Sequence, residues 1–156
     1  VNDTTVSSVS GSVIGSFGAA RASQNSGGST TMYEYTKLKV TAGSETITIT
    51  YVGTATFSIA TAAGITGMDT AAPFDTNGSL PATGVSAGTT VYSTTASTTL
   101  VISAAATISS ADGAWTDLHN EAFWVVRYKI FSSPQTSQTV PYSGAANPVI
   151  TDAVKP

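Results

Sequence analysis

The chain contains no cysteine, which excludes a disulfide framework and every metal site built on thiolates. It has one histidine, His119, so a zinc site of the usual kind lacks a second imidazole. Charged residues make up 10% of its 156 positions, where an ordinary soluble domain carries about 25%. Lysine and arginine form no cluster, and the net charge is −3. Both facts argue against nucleic acid as a partner, because such binding rests on neutralising phosphates. No apolar run approaches the roughly 18 residues of a transmembrane helix. No GxSxG elbow, phosphate-cradling glycine loop or sustained 3.6-residue period occurs. These absences leave no catalytic signature, no cofactor and no membrane span in the chain as given.

Serine and threonine take the place of the missing charge. A surface solvated by hydroxyls suits an extracellular, cell-surface protein that touches copies of itself or carries glycans. A chain that starts at Val1 rather than Met fits a removed leader. The length fits one domain with a self-sufficient core.

The residue pattern is that of an all-β protein. Met32 to Val40 alternates with period two, and in Glu45 to Val52 Ile47, Ile49 and Tyr51 share one face against threonines on the other. After Gly53 the alternation resumes through Ala55, Phe57 and Ile59, so the two runs read as a hairpin or bent strand pair. Residues 61–88 hold Gly64, Gly67, Pro73, Gly78, Pro81 and Gly84 and read as a long loop with one short strand. Further strands are expected around Val91 and Tyr92, and over Thr98 to Ala104 with Leu100 and Ile102 inward. Ala122 to Phe131 has bulk on both faces, as a central strand would. Val140 to Val154, with Pro141 and Pro148, reads as an edge strand. Together these predict a single β-sandwich, immunoglobulin-like or jelly-roll, over residues 31–156, preceded by an arm and spacer over 1–30.

Several short motifs carry chemistry in form. Asn2 and Asn77 head N-glycosylation sequons. Asp75, Asn77 and Ser79 repeat like the first half of a calcium loop, but the closing carboxylate is missing because Ser86 stands there; Asx-turns are the simpler reading. Leu80-Pro81-Ala82-Thr83-Gly84 has the form of a sortase signal, yet more than seventy residues follow it, and a Pro/Gly loop explains it. Asp112, Asp117, His119, Asn120 and Glu121 gather ionisable groups at a turn and an exposed strand start, where polar residues belong without catalysis. Trp124 reads as core. Tyr33 and Tyr35, sharing a face with Lys37 and Lys39, are the best candidates for an exposed aromatic contact.

The N-terminal stretch VSSVSGSVIGSF is the unusual feature. Its apolar residues Val6, Val9, Val13, Ile14 and Phe17 are spaced only by serine and glycine, and their broken alternation requires a bulge. Glycine, serine and asparagine follow over residues 19–31. This is a way to build a strand that pairs with the open edge of a neighbour, and equally a first strand of the chain's own sandwich. With its Thr/Ser/Gly/Ala-rich body and lack of cysteine, the chain resembles subunits of extracellular filaments, archaeal or bacterial, joined by donor-strand complementation. That resemblance implies a homopolymer in which Val6, Val9, Val13, Ile14 and Phe17 dock into the next subunit. A carbohydrate-binding or adhesive module and a viral capsid or tail decoration protein are the alternatives.

Overall fold

The computed structural model describes residues 4–27, 30–38, 43–85, 90–106, 114–121, 123–142 and 148–156. Lys39 and Val40, which the sequence assigns to a strand, lie outside the described residues, as do Asn2, Ser86 and Asp112. The strands are β1 (Val6–Gly11), β2 (Gly15–Ser16), β3 (Ala22–Asn25), β4 (Thr31–Glu34), β5 (Ile47–Tyr51), β6 (Ala82–Gly84), β7 (Val91–Tyr92), β8 (Thr99–Ala105), β9 (Thr116–Glu121), β10 (Trp124–Phe131), β11 (Gln138–Thr139) and β12 (Val149–Val154). Among the described residues there is no helix, hence none long and apolar enough to cross a membrane.

The fold is all-β, with several sheets packed as in a sandwich. Its frame is an antiparallel sheet in the order β6-β12-β8-β10-β9. All six residues of β12 are buried, between β6 and β8. This corrects the edge-strand expectation for the C-terminal segment. Pro148 sits just before β12, so its missing N–H falls outside the ladder, and its carbonyl accepts from Ala106 N at 3.1 Å.

Cross-strand register puts Val101, Ser103 and Ala105 on one face with Val125, Arg127, Val149, Thr151 and Ala153. On that face Ala82, Tyr92, Val101, Val140 and Ala153 form a buried cluster. Leu100 and Ile102, expected inward, lie on the other face and are only half-buried. Alternation gave the period of β8 correctly, but threonine, serine and alanine turned out to be the buried set. The neighbouring strand supplies the partner that the Ser103 hydroxyl needs, Thr151 Oγ1 at 2.7 Å.

Arg127 is fully buried at the middle of this face. Its Nη2 lies 3.2 Å from Asp117 Oδ1, its Nη1 donates to the Pro141 carbonyl, and the guanidinium sits 4.8 Å above the Tyr142 ring. Tyr142 in turn donates to Ser103 Oγ at 2.7 Å. A buried charge needs such a set of partners. Here it also bears on β9: the segment read from sequence as a turn and an exposed strand start is a strand paired with β10, and its Asp117 serves the buried arginine. The opposite face of the sheet is covered at one end by the β3–β4 hairpin, through Ala22 and Met32 against Ile150.

The hairpin corrects a second expectation. Residues 19–31, read as a flexible spacer, contain β3, whose first residue Ala22 is part of the core. Only Phe17 to Arg21 is left as connector. The third correction concerns Ala55, Phe57 and Ile59: this run alternates like a strand but pairs with nothing among the described residues.

Candidate functional site

The N-terminal stretch forms a small sheet of its own, in the order β2-β1-β5. Val6 lies opposite Tyr51, Val9 opposite Ile49 and Gly11 opposite Ile47. Between Val6 and Ser8 the register shifts. That bulge reconciles the three-residue spacing of Val6 and Val9 with a two-residue period, so both valines face the apolar side of β5. The β1–β2 connection is a three-residue loop, Ser12 to Ile14, closed by Gly15 at φ +70°, a conformation that glycine adopts without strain. Glu45 clamps the loop: its Oε1 accepts from Val13 N at 2.8 Å. A side chain on Gly11 would run into this carboxylate and into Ile14.

The five predicted docking residues therefore divide. Val9 is buried at 5% exposure, and Val6, Ile14 and Phe17 are half-buried. Val13, at the loop tip, is 54% exposed. In the single chain the arm is docked at home, a pairing that sequence left open. The sheet is nonetheless a separate body. None of its residues belongs to the buried hydrophobic clusters, and its strands touch one another but the other strands only marginally.

A second feature lies on the partly covered face of the large sheet. There a cleft of about 220 Å³ is lined by Tyr33, Glu34 and Tyr35 on one side and by Trp124, Ile150 and Asp152 on the other. The sequence picked Tyr33 and Tyr35 as exposed contacts. They are half-buried at this cleft, ring centroids 6.3 Å apart and tilted by 31°. Burial and the adjacent Tyr33 push the Tyr35 phenol up. Asp152, nearly buried, is held by Arg21, whose Nη2 donates to Oδ1 at 3.2 Å while Nε donates to Oδ2. Arg21 also stacks 3.5 Å over the Phe74 ring. Burial, then the Asp152 carboxylate as both charge and hydrogen-bond partner, pushes Glu34 up to about 8 against the pull of Arg21. At neutral pH the trio is a protonated carboxyl beside an ion pair. It can give and accept hydrogen bonds next to aromatic faces. Nothing in the sequence marks it, since Arg21, Glu34 and Asp152 come from three distant segments.

The other sequence candidates are absorbed by the fold. Asp75 is buried and accepts from Asn77 N at 2.9 Å, from Thr95 Oγ1 at 2.9 Å and from Ala96 N at 2.9 Å. Burial would raise it, but these bonds, with that from Thr95 N, hold its carboxyl below the usual range. Asn77 Oδ1 accepts from Ser79 N at 3.0 Å, so this run is a pair of Asx-turns. Asn77 itself is half-buried. Ala82 to Gly84 of the sortase-like pentapeptide is strand β6, with Ala82 in the core. Asp117 is committed to Arg127 and accepts from Asn120 Nδ2 at 2.7 Å, while His119 and Glu121 lie 3.9 Å apart, Glu121 outward. Among the described residues no three His, Cys, Asp or Glu side chains converge as a metal site. No known protein family, curated protein or solved structure matches the chain.

Proposed function

We propose that the protein is a structural subunit of an extracellular filament, its copies joined by exchange of strand β1 between neighbours. The observation that carries this reading is the independence of the β2-β1-β5 sheet. It supplies nothing to the buried clusters, so withdrawing β1 leaves the body intact. A neighbour's β1 can take the same place on β5, with Val9 opposite Ile49 and Val6 opposite Tyr51. Closed monomer and open chain then use the same contacts, as in domain swapping, and a head-to-tail exchange does not close on itself. The connector from Phe17 to Arg21, with Gly18 at φ +77°, supplies the hinge and a reach of about 17 Å.

The absence of native cysteine makes the test direct. Val9→Cys and Ile49→Cys chains are mixed, allowed to assemble and oxidised; antiparallel Cα partners lie within disulfide range. The expected product is a covalent link between two chains, with filaments visible by electron microscopy. Chains lacking residues 1–18 stay folded and form no filaments. Normal filaments from those truncated chains, or no link between mixed chains, refutes the proposal.

One observation favours a second reading, a glycan-binding module: Tyr33 and Tyr35 line a cleft that also holds the protonated Glu34. A neutral sugar would stack on the rings and hydrogen-bond to the carboxyl. Glycan affinity in the monomer, lost in Tyr33→Ala and Tyr35→Ala, supports it; no affinity across a glycan panel rejects it.

A further inference from the structure

Residues 55–68 follow the N-terminal sheet and run across the large sheet as an extended ribbon. Thr61, Ala63 and Ile65 line its cleft at alternate positions, the spacing of a β-strand. Trp124 Nε1 donates to Thr61 Oγ1 at 2.9 Å and pins the ribbon in place. Yet no backbone N–H or C=O from Ala55 to Met68 is hydrogen-bonded within the chain, among the described residues. Most of the run is exposed, so its backbone groups are open to water or to a partner strand.

Its composition makes the open edge more conspicuous. From Thr46 to Met68 the sequence carries neither a charge nor a proline. Natural proteins guard exposed edges with lysine, proline or very short strands, and this one does not. Phe57, at 68% exposure, stands on the same ribbon. The ordering cost of a strand is already met by the side-chain contacts, so a partner strand gains its hydrogen bonds without first arranging the template.

We infer that residues 57–66, bounded by a bend at Thr56 and by Gly67 at φ +79°, are an interface strand, paired antiparallel with the same residues of a second copy across a two-fold axis. The choice of partner rests on what else the chain offers. Of its other open edges among the described residues, β9 carries Asp117, His119 and Glu121, and β4 ends on Glu34. The edge strands β2 and β6 are two and three residues long, and β7 and β11 two each. β5 continues into the ribbon itself after the break at Gly53, where φ is +95°. Only the ribbon is both long and uncharged, and antiparallel pairing about a two-fold axis makes any strand its own complement. Ten paired residues extend about 33 Å. The contact joins copies side by side, where strand exchange joins them end to end. It rests on the proposed function only in taking the protein to self-associate.

The test uses full chains carrying a single cysteine at an outward-facing position: Ser58→Cys, Ala60→Cys or Ala62→Cys, all exposed. Mild oxidation should give a covalent homodimer, strongest at the position nearest the two-fold axis. In parallel, amide exchange over residues 57–66 should be fast in dilute protein and slow at least tenfold as concentration rises. The double variant Ala60→Lys/Ala62→Lys should abolish that protection. No homodimer at any of the three positions, a link formed only with Val9→Cys chains, or exchange that stays fast at every concentration would overturn the inference. Repeating the exchange measurement on the oxidised Val9→Cys/Ile49→Cys double variant, whose β1 is locked at home, separates the two proposals. Protection there upholds lateral pairing whatever becomes of strand exchange; fast exchange there at every concentration, with mixed Val9→Cys and Ile49→Cys chains still linking, rejects lateral pairing alone.

Discussion

Glu34→Gln tests whether the cluster of Arg21, Glu34 and Asp152 at the β3–β4 hairpin is built as described. The Glu34 carboxyl moves from an ordinary 4.5 to about 8 on folding, so the folded chain holds this proton more tightly than the unfolded one. Stability from this group is therefore complete below about pH 4.5, declines as pH rises, and is lost above about pH 8. At about 1.4 kcal/mol per unit the displacement corresponds at most to about 5 kcal/mol, a large share of the 5–15 kcal/mol typical of a domain. Glutamine copies the protonated acid in shape and cannot ionise. At pH 5 the variant should match the unaltered chain within about 1 kcal/mol, and at pH 8.5 it should be the more stable by about 2–4 kcal/mol. Urea unfolding followed by the fluorescence of Trp115 and Trp124 at pH 5, 6.5, 8 and 8.5 reads this directly. A His119→Gln background removes the chain's one imidazole from the comparison. Equal slopes of stability against pH in the presence and absence of Glu34 would refute the argument, since no buried proton would then be at stake.

Asp75→Ala leaves the amides of Asn77, Thr95 and Ala96 without their acceptor and should cost about 3 kcal/mol. The sign of its pH dependence is opposite to that of Glu34: the contribution of Asp75 is present above its ordinary value of 3.8 and fades as pH falls through the lower folded value. Unfolding midpoints at pH 3 and pH 6 should show the variant converging on the unaltered chain at the acid end. Arg127→Ala strands Asp117 beside a buried void and should lower stability by about 3–5 kcal/mol. Arg127→Met with Asp117→Leu should recover most of that in the same unfolding assay, because an apolar pair needs no charge partner. Failure of the double variant to recover would mean that the arginine serves the chain in some way other than filling the core.

Taken with the independence of the N-terminal sheet, these features describe a protein of two parts. The large sheet and its coverings hold themselves together through buried valines, hydroxyls and one arginine. The β2-β1-β5 sheet lies outside those buried clusters, while Thr61, Ala63 and Ile65 rest against the large sheet.

Period-two alternation in MYEYTKLKV, ETITITYV and AFWVVRYKIF, the turn residues between such runs and the lack of any helical period were enough to determine an all-β chain. The irregular valine spacing in VSSVSG likewise determined that a bulge had to occur. Alternation fixes which residues share a face but not which face meets the interior, so Thr99, Ser103 and Thr151 could not be told from surface hydroxyls until β12 lay beside β8. Proline marked Val140 to Val154 as an edge because sequence does not show whether a missing N–H falls inside the ladder or, as with Pro148, one residue before it. The meeting of Arg21, Glu34 and Asp152, and the ribbon at Ala55 to Met68 with its backbone unbonded, are decided by contacts across large sequence separations. Local pattern carries no record of such distances, and only the packed chain sets them.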